Sequence, residues 1–229
     1  MVITIDGPAG SGKSTVARKL ANRLGLIHLN SGALFRAVGR SAVKNGVALD
    51  DESGVVVVAE RLRFNFELDS AANTRFLVDD EVISEQLGSE EVGKLASKVA
   101  QLPLVRQVLL NFQRGLAERC SLVVEGRDSG TVVFPDADFK FYLDASLEVR
   151  AERRMREMLG GKPNLAESLL DKSQSSQTVE YVREQIAQRD HADSTRKVAP
   201  QRVPEGAVVI DTSVCSPDEV VERIVHGLS

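Results

Sequence analysis

Residues 7–14 read Gly7-Pro8-Ala9-Gly10-Ser11-Gly12-Lys13-Ser14, directly after the apolar run Val2-Ile3-Thr4-Ile5. The spacing is G-x-x-x-x-G-K-S, a pattern that works only with a strand before it and a helix after it. Its glycines let successive backbone N–H groups turn inward toward phosphate oxygens. Lys13 adds a point charge for the outer phosphates, and the Ser14 hydroxyl can ligate Mg²⁺. The flanks comply. Val16, Leu20 and Leu24 recur at i, i+4 and i+8 with Ala17 and Ala21 beside them, and Gly25 is placed to cap the helix. A strand–loop–helix unit that holds a nucleoside triphosphate is the first expectation.

With 229 residues the chain can form one α/β domain with insertions. A net charge of −4 speaks against a general nucleic-acid binder, so no nucleic-acid partner is expected. Cys120 and Cys215 have neither disulfide-framework nor metal-site spacing, which fits a reducing cytoplasmic compartment. The N-terminus enters its first strand at once, so no signal peptide is expected. The apolar run Val55–Ala59 is far too short to span a bilayer, and no membrane partner is expected.

Strand-like runs at Val2–Ile5, Leu26–Leu29, Leu122–Val124, Lys140–Leu143 and Ala207–Ile210 alternate with helix-length segments. That rhythm predicts a parallel sheet with helices on both faces. Ser216, Pro217 and Glu219 predict a capping box, followed by an apolar face of Val220, Val221, Ile224, Val225 and Leu228. Another helix is expected after Pro103, with Val105, Val108, Leu109, Phe112 and Leu116 on one side. Two stretches interrupt the pattern. Arg63–Leu68, Thr74–Val78 and Val82-Ile83 read as a small antiparallel insert. Met155–Gln188 is polar and carries Gly160-Gly161 and Ser173-Gln174-Ser175-Ser176-Gln177; it reads as a mobile lid or a disordered surface loop.

Charged groups cluster after the strands, at the carboxyl edge where such sheets bind ligands. Arg36 lies about a turn and a half beyond Ser31 and could reach an anion held at that helix start, or be solvated. Glu125-Gly126-Arg127-Asp128-Ser129-Gly130-Thr131 suits a polar ligand, or a turn with a surface Arg–Asp pair. Arg189, Asp193 and Arg196 share one helical face, which fits a sugar-and-phosphate site or a surface salt-bridge ladder. Arg150, Arg153, Arg154 and Arg156 could clamp a phosphoryl group or solvate a helix.

Together and in this order, these segments resemble the bacterial cytidylate kinases over essentially the whole chain. The resemblance rests on Ile3–Ser14, on Ser31-Gly32-Ala33-Leu34-Phe35-Arg36, on Glu125–Ala137 with its G-R-D-x-G-T-x-V-x-P-x-A pattern, and on Arg189–Pro200. It implies a P-loop kinase of the α/β class: a three-layer sandwich with a central parallel sheet, an inserted small antiparallel sheet and a lid. It implies a single domain over 1–229, with a core (about 1–30, 104–154 and 189–229), a monophosphate-binding region with the insert (about 31–103) and a lid (about 155–188). The implied reaction is transfer of the ATP γ-phosphate to CMP or dCMP, in pyrimidine metabolism, with Mg²⁺ as cofactor. A monomer is the expected state.

By the same resemblance Gly7, Pro8, Ala9, Gly10, Ser11, Gly12, Lys13, Ser14 and Thr15 would bind ATP, and Ser14 the metal. Ser97, Arg106 and Asp128 would recognise cytosine. Arg36, Arg127 and Arg196, with Ser31 beside them, would hold the acceptor phosphate, and Arg189 and Asp193 the ribose. Lys13, Arg127 and Arg196 would be catalytic, and Arg150, Arg153, Arg154 and Arg156 would feed the lid. Three positions depart from the family's usual pattern: Asn30 replaces Asp, Phe35 replaces Tyr, and Glu125 stands where Asp is frequent. UMP is the nearest alternative acceptor. A regulatory guanine-nucleotide switch would need an N/T-K-x-D motif, which this chain lacks.

Overall fold

The computed structural model describes residues 1–71, 73–83, 90–158 and 172–228. β1 (Val2–Asp6) runs through the glycine-rich loop into α1 (Lys13–Leu24). β2 (Ile27–Asn30) leads to α2 (Ser31–Lys44) and α3 (Glu52–Arg61). Then come β3 (Phe64–Leu68), β4 (Thr74–Val78), β5 (Glu81–Val82), α4 (Glu90–Val99) and α5 (Pro103–Ala117). β6 (Leu122–Gly126) passes through a π-helical turn (Ser129–Val133) to β7 (Phe139–Asp144) and α6 (Leu147–Met158). α7 (Lys172–Thr195), β8 (Val208–Asp211) and α8 (Pro217–His226) follow.

The larger sheet has the order β2-β6-β1-β7-β8, and each adjacent pair is parallel. Its central strands β1 and β6 are buried on both faces, which is why they read as apolar runs rather than alternating patterns, whereas Val208 and Val209 of the edge strand β8 are exposed. Ile3, Ile5, Val123 and Leu143 pack with α1 and α8 on one face. Leu29, Leu122 and Val124 pack with residues of α2 to α5 on the other. Three layers result, as the sequence predicts.

Local signals set the element ends. Gly25 is left-handed (φ 66°) and closes a Schellman turn, its N–H on Asn22 O and that of Leu26 on Ala21 O. Leu26 is thereby taken into the cap, and the second strand starts at Ile27 rather than at Leu26. Ser216 caps α8, and the reciprocal Glu219 bond completes the capping box. Such a cap contributes about 1 kcal/mol.

The insert is a three-stranded antiparallel sheet, β3-β4-β5. Its tight turn uses Asp79 and Asp80, both with positive φ (51° and 68°), as a two-residue hairpin demands. Phe64 and Phe66 bring their rings to Phe112 of α5, with centroids 5.1 and 6.4 Å away. Such pairs contribute about 0.5–1.5 kcal/mol each beyond burial. Thr74 Oγ1 accepts the His28 N–H at 2.9 Å, so the insert also docks on the edge strand of the large sheet.

The polar stretch 155–188 corrects one expectation. Residues 155–158 end α6, and 172–188 belong to the long helix α7, where a surface loop was one of the two readings. Gly160-Gly161 lie outside the described residues. Helix wins because Val182 and Ile186 bury against Ala9 and Ala151, a tertiary contact with a weak local signature. Among the described residues no helix is long and apolar enough to cross a membrane.

Candidate active site

β1, β2 and β6 are neighbours, and their carboxyl ends deliver the P-loop, the start of α2 and the Glu125–Asp128 segment to one edge. The loop is held close from below. A Cβ on Gly7 would lie 2.0 Å from Leu143 O, and one on Gly10 would lie 2.9 Å from Arg150 O, so both positions require glycine.

Arg150 and Arg153 serve this loop rather than a lid surface. Arg150 is 8% exposed. Its Nη1 donates to Ala9 O at 3.1 Å and pairs with Asp190, whose Oδ1 accepts the Ala9 N–H at 3.0 Å. Arg153 Nη1 donates to Thr212 Oγ1 at 3.0 Å, and that hydroxyl donates to Ser11 O at 3.0 Å. Arg154 is partly exposed and pairs with Glu157, and Arg156 is exposed.

Lys13 is buried, its Nζ donating to Pro8 O at 2.5 Å and to Ser11 Oγ at 3.3 Å. Burial, and then the nearby Arg127, push its pKa well below that of an ordinary lysine. Ser14 Oγ donates to Glu125 Oε2 at 2.7 Å. The other oxygen, Oε1, accepts from His28 Nε2 at 3.0 Å and Asn30 Nδ2 at 2.8 Å. Burial opposes ionisation of Glu125, yet the donors His28 and Ser14, with the Lys13 charge, hold its pKa below the usual glutamate value.

Opposite the P-loop stands an alternating ionic array. Asp128 accepts from Arg106 through Oδ2 and from Arg196 Nη2 through Oδ1 at 2.9 Å. Arg106 also donates to Ala100 O at 3.3 Å and lies over the Phe35 ring at 5.3 Å. Asp193 accepts from Arg127 Nε at 2.9 Å, with Arg196 Nη1 at 3.8 Å and Arg189 Nε at 4.0 Å. Asp128 and Asp193 are 7% and 8% exposed, so neither belongs to a surface pair or ladder. Ser97 sits one turn before Ala100 on α4, its hydroxyl on Gly93 O at 3.2 Å. Ser31, buried, opens α2.

Cations crowd one another here: Arg127 and Arg189 act on Lys13, and Arg127 and Arg36 on Arg189. Burial lowers the pKa of Arg36, and Arg154 and Arg127 lower it further against Glu125. Arg189 is pushed down to about 10 by burial and by Arg127, with Arg36 and Arg154 adding to the effect and Asp193 opposing it. Among the described residues the buried Nε atoms of Arg36 and Arg189 have no hydrogen-bond partner. Cations that repel one another and keep free donors form a receptor for a polyanion. Sequence reasoning placed these groups but missed Asp6, Asp190, His28 and Thr212. Asp6 and Asp190 lie inside the segments that carry the resemblance but had no role of their own there; His28 and Thr212 carry no local signal.

The family model for cytidylate kinase matches residues 3–229. The cytidylate kinase of Methylococcus capsulatus is 47% identical over 221 residues, covering 96% of this chain and 93% of that one. That of Caldanaerobacter subterraneus subsp. tengcongensis is 40% identical over 227 residues, covering 99% and 93%. An uncharacterized protein from Eubacterium ventriosum ATCC 27560 superposes with a TM-score of 0.50 at 12% identity, covering 100% and 98%, a likeness of fold alone. A P-loop facing a buried arginine array, with relatives this similar along nearly all of their length, places the chain in the cytidylate kinase family of kinases.

Proposed function

We propose that the protein transfers the γ-phosphoryl group of ATP to CMP or dCMP, giving ADP and CDP or dCDP. The observation that carries this reading is Asp128, a buried carboxylate held by Arg106 and Arg196 next to Arg127, which bonds Gly7 O of the P-loop. Cytosine offers a 4-amino donor next to an N3 acceptor. Asp128 would accept from the first while Arg106 donates to N3 or O2, and Ser97 completes the edge. Uracil reverses that pattern and leaves the buried groups unpaired.

Phosphoryl transfer needs alignment and charge neutralisation more than a general base. Residues 7–15 would cradle the ATP phosphates. Lys13, freed from Pro8 O by the anion it meets, would follow the charge on the transferring group. Arg36, Arg127 and Arg196 would hold the acceptor phosphate in line, and Arg189 and Asp193 the ribose. Mg²⁺ takes hard oxygen ligands, few of them from protein, and when bound neutralises the outer phosphates. Ser14 Oγ and Glu125 Oε2 fit that donor set, since Oε1 is already engaged by His28 and Asn30. Arg154 and Arg156, on the segment about 155–188 or next to it, would close over the donor and exclude water. The core would then be about 1–30, 104–154 and 189–229, with the acceptor region at 31–103. Such an enzyme would serve pyrimidine metabolism in the cytoplasm.

A coupled ADP-release assay across CMP, dCMP, UMP, AMP and GMP tests the reading. CMP and dCMP are expected to give the highest kcat/KM. A lead for UMP or a purine nucleotide would overturn it.

A further inference from the structure

Asp6 ends β1, one residue before the P-loop, and is fully buried. Its Oδ1 accepts the Ser129 N–H at 2.9 Å and its Oδ2 the Gly130 N–H at 2.7 Å. These two amides open the π-helical turn that follows Asp128. The turn also closes on Asp128 itself, whose carbonyl accepts the N–H groups of Val132 and Val133.

The packing leaves that turn little freedom. Gly126 pairs with Asp6 in the sheet, and a Cβ there would meet Ser129 Oγ at 2.3 Å. A Cβ on Gly130 would meet Thr4 Oγ1 at 2.7 Å. Arg127, between the two anchors, donates from Nη1 to Gly7 O at 2.5 Å. One carboxylate thus ties the turn that follows Arg127 and Asp128 to the strand that feeds the P-loop. Burial pushes the Asp6 pKa up to about 6 even against the two amide donors, so a neutral side chain would be the cheaper filling.

We propose that Asp6 is a positioning residue for nucleotide selection: by gripping Ser129 and Gly130 it sets where Asp128 and Arg127 stand in front of the P-loop. The proposal rests on the reading of Asp128 as the cytosine acceptor. It goes beyond that reading by placing part of the selectivity in a side chain that does not touch the base.

The test compares kcat and KM for CMP, UMP and ATP in Asp6→Asn, Asp128→Asn and the double variant. Asp6→Asn keeps the shape but turns one acceptor into a donor facing an N–H. Its KM for CMP should rise about tenfold, and the CMP/UMP ratio of kcat/KM should narrow severalfold, with KM for ATP within about twofold. In the Asp128→Asn background the same change should leave the ratio where Asp128→Asn has put it. Equal rises in KM for CMP and ATP, or an unchanged CMP/UMP ratio in Asp6→Asn, would overturn the proposal and leave Asp6 as scaffold. If Asp128→Asn itself leaves the ratio unchanged, the base reading fails first, which separates the two failures. Gly130→Ala displaces the same turn through Thr4 and Pro204 while keeping the Asp6 carboxylate. It should also narrow the ratio, and an unchanged ratio there counts against the proposal even if Asp6→Asn does not fold.

Discussion

Asn30 donates from Nδ2 to Glu125 Oε1 at 2.8 Å while its Oδ1 accepts the Ala33 N–H at 2.9 Å as the cap of α2. A carboxylate could make the cap but not the donation. Asn30→Asp should keep α2 capped yet set a second carboxylate against Glu125. We expect about 1–3 kcal/mol lower stability in urea unfolding at pH 8, and a higher Mg²⁺ concentration for half-maximal rate. A variant as stable as the parent, with an unchanged Mg²⁺ requirement, would mean that the donated hydrogen bond is dispensable.

Lys13 is buried, and that burial, with Arg127 and Arg189 against Glu125 and Asp6, makes its charge costly until an anion arrives. Lys13→Met should lower kcat at least about a hundredfold while changing KM for CMP little, because its contact matters most in the transition state. The same variant should melt higher than the parent without nucleotide, since a repelled buried charge is gone. Near-normal turnover would remove Lys13 from the chemistry.

Asp193 lies among Arg127, Arg189 and Arg196. If it holds the ribose, Asp193→Ala should weaken CMP about tenfold more than dCMP, because only CMP offers a 2′-hydroxyl. Equal losses for both would reassign it to orienting the three guanidinium groups. Parallel KM measurements decide between these.

Asp6 predicts a pH signature of stability. Its folded pKa, raised from 3.8 to about 6, means that the folded protein binds this proton more tightly than the unfolded chain does. That stabilisation is complete below about 4 and is lost as pH rises through about 6. It amounts to about 3 kcal/mol at most. Urea unfolding of the parent relative to Asp6→Asn should therefore fall by up to that amount between pH 4 and 7. A flat difference would show that Asp6 ionises normally.

The local grammar of the chain is legible without its fold. Gly7–Ser14 announces the loop, Gly25 the end of α1, and Ser216–Glu219 the start of α8, because each depends on φ preferences or on bonds spanning a few residues. The alternation around Arg63–Leu68 and Thr74–Val78 likewise shows the insert, though the aromatic contact with Phe112 that seats it does not show. The polar stretch around Ser173–Gln177 misleads, since the helix that contains it gains its burial from Ala9 and Ala151, far away in sequence.

The site itself divides in the same way. Its residue types are visible in the chain, but whether Arg189, Asp193 and Arg196 form a surface ladder or a buried receptor is not. That is decided when parallel strand order brings β6 beside β1 and β2, and when Asp128 meets Arg106 across 22 residues and Arg196 across 68. Sequence determines which backbone turns and charges exist, because those are properties of neighbouring residues. Tertiary structure alone decides which charges lose water together and which carboxylate grips which turn, because desolvation and ion pairing depend on distances that chain reversal creates.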